Sequence, residues 1–143
     1  PIIILRDQDG QRVLPIWVGV FEANAIALQM ENVATPRPMT HDLLKNVISD
    51  LKADIQKIVV SDLRENTFYA LIYLLVNGEP VAVDARPSDA IALALRAQAP
   101  IFVEDRVIDN AKTVDFVPDK ENSERLQKWL EGLDPDTMGR YKM

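Results

Sequence analysis

The chain has 143 residues, a formal net charge of −6 and no cysteine. A length of this order suits one domain that buries about 70% of the surface its unfolded chain exposes, and the lack of cysteine excludes a disulfide framework, a thiolate zinc site and a cysteine nucleophile. The acidic balance argues against holding nucleic acid by phosphate neutralisation alone. It leaves open an enzyme whose carboxylates hold a divalent cation.

A cysteine-free chain fits the cytoplasm, the expected location. The longest apolar runs, such as Ala70 to Val76, fall well short of the roughly 18 residues of a membrane span. No signal peptide is evident, and no membrane partner is expected.

Ile2 to Leu5 and Arg12 to Gly19 read as two strands of a hairpin turning at Asp9-Gly10. Phe21 to Val33 then places Ile26, Met30 and Val33 on one helical face. Thr35-Pro36-Arg37-Pro38-Met39 must be extended, because each proline fixes its own φ and restricts its predecessor. Thr40 is the expected cap of a second helix, in which Leu43, Leu44, Val47, Ile48 and Leu51 form the stripe expected to be buried.

Ile55 to Asp62 and Thr67 to Val76 are expected to pair antiparallel, and Asn77-Gly78 turns the second of them into Pro80 to Ala85. An alanine-rich third helix follows and closes at Pro100. Ile101 to Val103 reads as a short strand that Val107-Ile108 continues after a bend. Asn110 to Pro118 reads as irregular. A last amphipathic helix over Asp119 to Leu133 carries Leu126, Trp129, Leu130 and Leu133, and the remainder reads as a tail. The expected fold class is α+β: one domain over residues 1–118 with a mixed, antiparallel-rich sheet and packed helices, then a C-terminal helix and tail over 119–143.

An internal repeat underlies this order. Glu22-Ala23-Asn24-Ala25-Ile26-Ala27-Leu28 matches Pro87-Ser88-Asp89-Ala90-Ile91-Ala92-Leu93 at a constant offset of 65 residues, and each copy follows a strand, a turn and a strand. Duplicated joints often lie side by side or across a subunit interface, so Glu22 and Asn24 are expected to point toward Arg86 and Asp89.

Most of the polar residues of the second copy fall where its strand becomes a helix. Asp84, Arg86, Ser88 and Asp89 are expected to crowd one end of the sheet. They have a structural reading as a helix start, with Pro87 at its first position or Ser88 as cap, Asp89 favoured by the dipole and Arg86 neutralising a carboxylate. They also have a functional one. Carboxylate and amide oxygens suit Mg²⁺ or Mn²⁺, and an arginine fork matches two phosphate oxygens. Glu22, Asp84 and Asp89 are the expected metal ligands, Arg86 the phosphate clamp, and Asn24, Arg37 and Ser88 further substrate contacts.

His41 is the chain's one histidine and so the candidate for proton transfer, against the plainer reading of a solvated residue at a helix start. Asp62 reads as a turn carboxylate near the same end of the sheet. Tyr69, Tyr73, Trp17 and Trp129 read as core or interface. Helix three carries Ala90, Ala92, Ala94 and Ala97, so backbones can approach it closely, and it is expected to be buried between the sheet and another helix, of this chain or of a second subunit.

Leu14-Pro15-Ile16-Trp17-Val18-Gly19 followed by Glu22 to Ala27, then Arg37-Pro38-Met39-Thr40-His41-Asp42-Leu43-Leu44, and above all Asp84 to Leu93, closely resemble the bifunctional nuclease family. The resemblance runs from Pro1 to about Val107. It implies a compact α/β domain, hydrolysis of phosphodiester bonds in DNA and RNA, and a homo-oligomer; the leading reading adds low sequence specificity, divalent-metal dependence and a dimer as the favoured oligomer. It also implies a strand ahead of Pro1. Residues 119–143 are too few for the paired-helix module of some plant members. The resemblance assigns no catalytic set, so the roles given above rest on the residues themselves. The alternative is a non-catalytic homo-oligomeric binding or regulatory module, and a small anion held at the helix N-termini is a third reading.

Overall fold

The computed structural model describes residues 1–111 and 114–115, so the helix expected over Asp119 to Leu133 and the tail lie outside the described residues. β1 (Ile2–Arg6) and β2 (Arg12–Trp17) form the expected hairpin. Gly10 takes φ 70° at its tip, and the Asp7 carboxylate accepts the N–H groups of Gln11 at 2.9 Å and Arg12 at 3.2 Å. α1 (Val20–Met30) and α2 (Thr40–Asp50) flank the proline segment. β3 (Ala53–Arg64), β4 (Thr67–Val76) and β5 (Glu79–Ala85) then form an antiparallel meander. Its two turns, Glu65-Asn66 and Asn77-Gly78, place both central residues at positive φ, the geometry that follows the right-handed twist of the flanking strands.

α3 (Pro87–Ala97) ends at Gln98, which takes the left-handed conformation just ahead of Pro100. β6 (Ile101–Val103) runs parallel to β3, α4 (Asp105–Asn110) follows, and β7 (Val114–Asp115) pairs with β2. The α+β class and the mixed, antiparallel-rich pairing are as expected, with the strands divided between two sheets of order β1-β2-β7 and β5-β4-β3-β6. No described helix is long and apolar enough to cross a membrane.

α3 is the centre of the packing. It touches α1, α2, β3 and β4, and Ala90, Ile91, Leu93 and Ala94 are buried against Ile26, Ile58, Ala70 and Ile72. Its alanines let α1 and α2 approach within the chain itself. A second cluster of Leu14, Ile16, Val18, Val60, Phe68 and Val107 fills the space between the two sheets and α4.

Several expectations are corrected. Val114–Asp115, within the stretch expected to be irregular, forms β7, and Arg86, not Ser88, holds the N-cap position of α3. Val107-Ile108 lies in α4 and does not extend β6. Met39, not Thr40, holds the N-cap position of α2, and the Asp42 carboxylate reaches back to accept the Met39 N–H at 2.9 Å. The stripe on α2 is not buried: Leu43, Leu44, Val47 and Leu51 are exposed, Leu51 by 73%, and Ile48 alone among them packs on the core. α1 ends at Met30 and buries only Ile26; Met30 is exposed, and Val33, expected on the helix, lies exposed beyond its end.

The residue that holds α2 in place is Arg96. Its side chain is 4% exposed, and its Nε donates to Asp42 Oδ1 at 2.7 Å. Nη1 and Nη2 donate to the carbonyls of Ala92 and Ala25, each at 2.9 Å. One guanidinium thus ties α1, α2 and α3 together. Removing it strands a partly buried carboxylate and withdraws a donor from two carbonyls. Arg96→Ala should therefore lower the unfolding free energy by about 3 kcal/mol, read as a lower urea midpoint. A loss under about 1 kcal/mol would show that the three helices are held by apolar contact alone.

Candidate active site

The first turns of α1, α2 and α3 meet at one cleft of about 330 Å³. α1 contributes Phe21, Glu22 and Asn24, α2 contributes Thr40 and His41, and the start of α3 contributes Arg86 and Asp89. Side-chain caps are missing at the N-termini of α1 and α3. Their first-turn N–H groups and the positive ends of their dipoles are therefore directed at this region. The expected proximity of the duplicated joints is what the structure shows.

Four of these side chains form a continuous hydrogen-bonded chain. His41 Nε2 lies 2.9 Å from Asp89 Oδ1, Arg86 Nε donates to Asp89 Oδ2 at 2.9 Å, and Arg86 Nη1 donates to Glu22 Oε1 at 3.1 Å. Burial pushes the Asp89 carboxyl up. The hydrogen bonds from Arg86 and His41 and their charge outweigh it and leave the group below the usual carboxylate range. Arg86 is correspondingly raised, first by its bond to Asp89, against the opposing effect of burial, and further by Glu22.

An ionised carboxylate only accepts, so His41 Nε2 must carry the proton that faces Asp89. In the neutral ring this leaves Nδ1 as the acceptor. The solvated reading of His41 is therefore corrected, because its side chain is only 13% exposed and held by Asp89. Gly19 supports the other end of the chain. A Cβ there would collide with the Glu22 carboxylate, so a larger residue would require that side chain to shift.

The remaining candidates lie apart. Ile72 pairs with Val83 and Leu71 with Asp84 in the β4–β5 register. α3 packs on the face that carries Ile72, so Asp84 projects from the opposite face and does not line the cleft. Ser88 is 1% exposed, and its Oγ has no hydrogen-bond partner among the described residues; it is not a lining residue. Arg37 is exposed on the segment before α2 and outside the lining. Asp62 pairs with Arg64 at 3.0 Å.

The residues do not fit the expected Mg²⁺ or Mn²⁺ site. Glu22 and Asp89 are joined through Arg86, Asp84 is on the far side of the sheet, and no three ligand-type side chains are grouped to hold a metal among the described residues. Two partners escaped the sequence reading: Arg96, which looks like the end of a helix, and Asp42, which looks like a dipole-serving residue. Only a contact 54 positions apart reveals their role.

The sequence pattern of the bifunctional nuclease domain matches residues 3–115. An uncharacterized protein of Mycobacterium tuberculosis is 38% identical over 147 residues, covering 95% of this chain and 87% of its own length. Bifunctional nuclease 2 of Arabidopsis thaliana is 30% identical over 122 residues, covering 77% of this chain and 37% of the plant protein. Bifunctional nuclease 1 of Oryza sativa subsp. indica is 28% identical over 112 residues, or 76% of this chain and 34% of its own. The chain thus spans about a third of the length of these plant relatives.

The site also sets an acid limit on the fold. Asp42 is held below the usual carboxylate range, chiefly by the Met39 N–H, against burial, and then by Arg96. Both Asp42 and Asp89 therefore bind protons more weakly folded than unfolded, so their contribution is present above the unfolded value near pH 4 and is lost as pH falls through the folded value. Urea midpoints should stay level from about pH 7 to pH 5 and fall below about pH 4. The double substitution Asp42→Asn with Asp89→Asn should flatten that fall, and an unchanged acid profile in the double variant would contradict the assignment.

Proposed function

The chain belongs to the bifunctional nuclease domain family, and on that premise we propose that it is a phosphodiester hydrolase acting on DNA and RNA with low sequence specificity, in the cytoplasm. The observation that supports this most is the chain of hydrogen bonds from His41 through Asp89 and Arg86 to Glu22 at the meeting of three helix N-termini. In this reading Asp89 fixes the ring of His41, and Nδ1 accepts the proton of the attacking water. Arg86 retains N–H donors beyond the two spent on Asp89 and Glu22, and these face a phosphate. Glu22 braces the guanidinium from the other side. The uncapped first turns of α1 and α3 add partial positive charge where the phosphorane builds negative charge. These local donors offset the acidic balance of the whole chain.

Fragment release from labelled DNA and RNA oligonucleotides tests the proposal. His41→Ala and Arg86→Ala should each lower kcat/KM by about 10²-fold or more, while Asp84→Asn, on the far face of the sheet, should change it less than about twofold. Equal loss in all three, or none in His41→Ala and Arg86→Ala, would refute this site. EDTA in the same assay tests the cation expected from the sequence. Loss of activity would show a cation requirement, and retained activity leaves the chemistry to the side chains.

The rival reading, a non-catalytic homo-oligomeric module, draws support from the exposed row Leu43, Val47 and Leu51 at i, i+4 and i+8 on α2. The two readings share the oligomer. We propose that this row is covered by a second copy in a dimer. Light scattering behind a sizing column should give twice the chain mass for the native protein and the monomer mass for Val47→Lys with Leu51→Lys. A native monomer would rule the dimer out.

A further inference from the structure

Phe21 is the most exposed large apolar residue described, at 87%, and it stands on the rim of the cleft that holds His41, Arg86 and Asp89. It takes no part in either core cluster. An exposed phenylalanine on its own needs no explanation, but this one lies one residue from Glu22 and three from Asn24, both of which line the same cleft. The internal repeat sharpens the point. At the offset of 65 residues Phe21 is the counterpart of Arg86, and Asn24 the counterpart of Asp89. One copy of the joint thus presents a cation and a carboxylate, while the other presents an aromatic face and an amide.

Those two chemistries match the two halves of a nucleotide. The guanidinium suits the phosphate, the phenyl ring suits the flat face of a base, and an amide can bond a base edge. We propose that Phe21 stacks on the nucleobase beside the scissile phosphate, with Asn24 against its edge, so that the preferred substrate is a single strand whose bases are free to leave the stack. Every base has a π-face, so such a contact is tolerant of sequence and common to DNA and RNA. A duplex keeps its bases paired and offers the ring no partner. This inference rests on the hydrolase reading above.

Binding separates the two. A labelled thymidine 12-mer, the same-length abasic oligomer and a duplex are titrated by fluorescence anisotropy into the full chain carrying His41→Gln, which holds turnover down. The thymidine oligomer should bind more tightly than the other two. Adding Phe21→Ala should weaken it by about 5- to 150-fold with the abasic oligomer unaffected, and Phe21→Trp should restore binding. With His41 intact, Phe21→Ala should raise KM and leave kcat near its native value, since stacking binds substrate and transition state alike. Melting temperature and mass should not move, because the ring is in solvent.

Equal affinity for thymidine and abasic oligomers, unchanged binding in Phe21→Ala, or a change only in oligomeric state would overturn the inference. Were the native protein still to cleave under any of those outcomes, the hydrolase reading would survive and only the role of Phe21 would fall. If the native protein neither binds nor cleaves any oligonucleotide, both fall together.

Discussion

The geometry of this domain depends on a single buried guanidinium. α3 buries Ala90, Ala92 and Ala94 beside Ile91 and Leu93, and the alanines permit close approach while giving each contact little apolar area. Arg96 compensates by joining three helices through directional bonds: to Asp42 on α2, to the Ala25 carbonyl on α1 and to the Ala92 carbonyl on its own helix. Such bonds set a register that methyl contacts alone would leave loose. The register matters because few apolar contacts hold α2. Most of its apolar stripe faces outward, and Ile48 is its one apolar contact with the core cluster.

The cleft follows from that fastening. Asp42 and His41 are neighbours, so the bond that anchors Asp42 to Arg96 also carries His41 to Asp89, seven positions earlier on the same face of α3. The two acids divide the work. Asp42 serves the fold, and Asp89 offers one oxygen to the imidazole and the other to Arg86. A carboxylate shared between two donors stays ionised, and an ionised acceptor dictates where the imidazole proton sits. Structural ion pair and candidate chemistry are thus adjacent links of one network.

Much of this architecture was written locally in the sequence. Asp9-Gly10 and Asn77-Gly78 supply the left-handed residues that tight hairpins need, and Pro87 and Pro100 bracket α3. What failed was local pattern asked to answer a global question. The row Leu43, Val47 and Leu51 announces a helix with an apolar face, yet periodicity does not say which neighbour covers that face. Val107-Ile108 is too short a pair to separate strand from helix by period. Asp84 was placed with Arg86 because they are close in the chain. Strand alternation already set it opposite Val81 and Val83, and it is the valine face that receives α3. Arg96 with Asp42 and Glu22 with Arg86 are pairs 54 and 64 positions apart. Of these only the second follows from the repeat.

The repeat also explains why one cleft forms instead of two. Two copies of a strand-to-helix joint, packed through α1 and α3, bring two uncapped helix starts together. Had both kept an arginine at the equivalent position, two guanidiniums would repel each other across the gap. Had both kept a carboxylate, the two like charges would disfavour ionisation of one of them. Glu22 resolves the first half of the problem by lying against Arg86, and Asn24 resolves the second by standing as a neutral amide where the other copy has Asp89. Charge balance between neighbouring copies is therefore a reason for them to differ. A site built by duplication of this joint is asymmetric for an electrostatic reason before any substrate enters it.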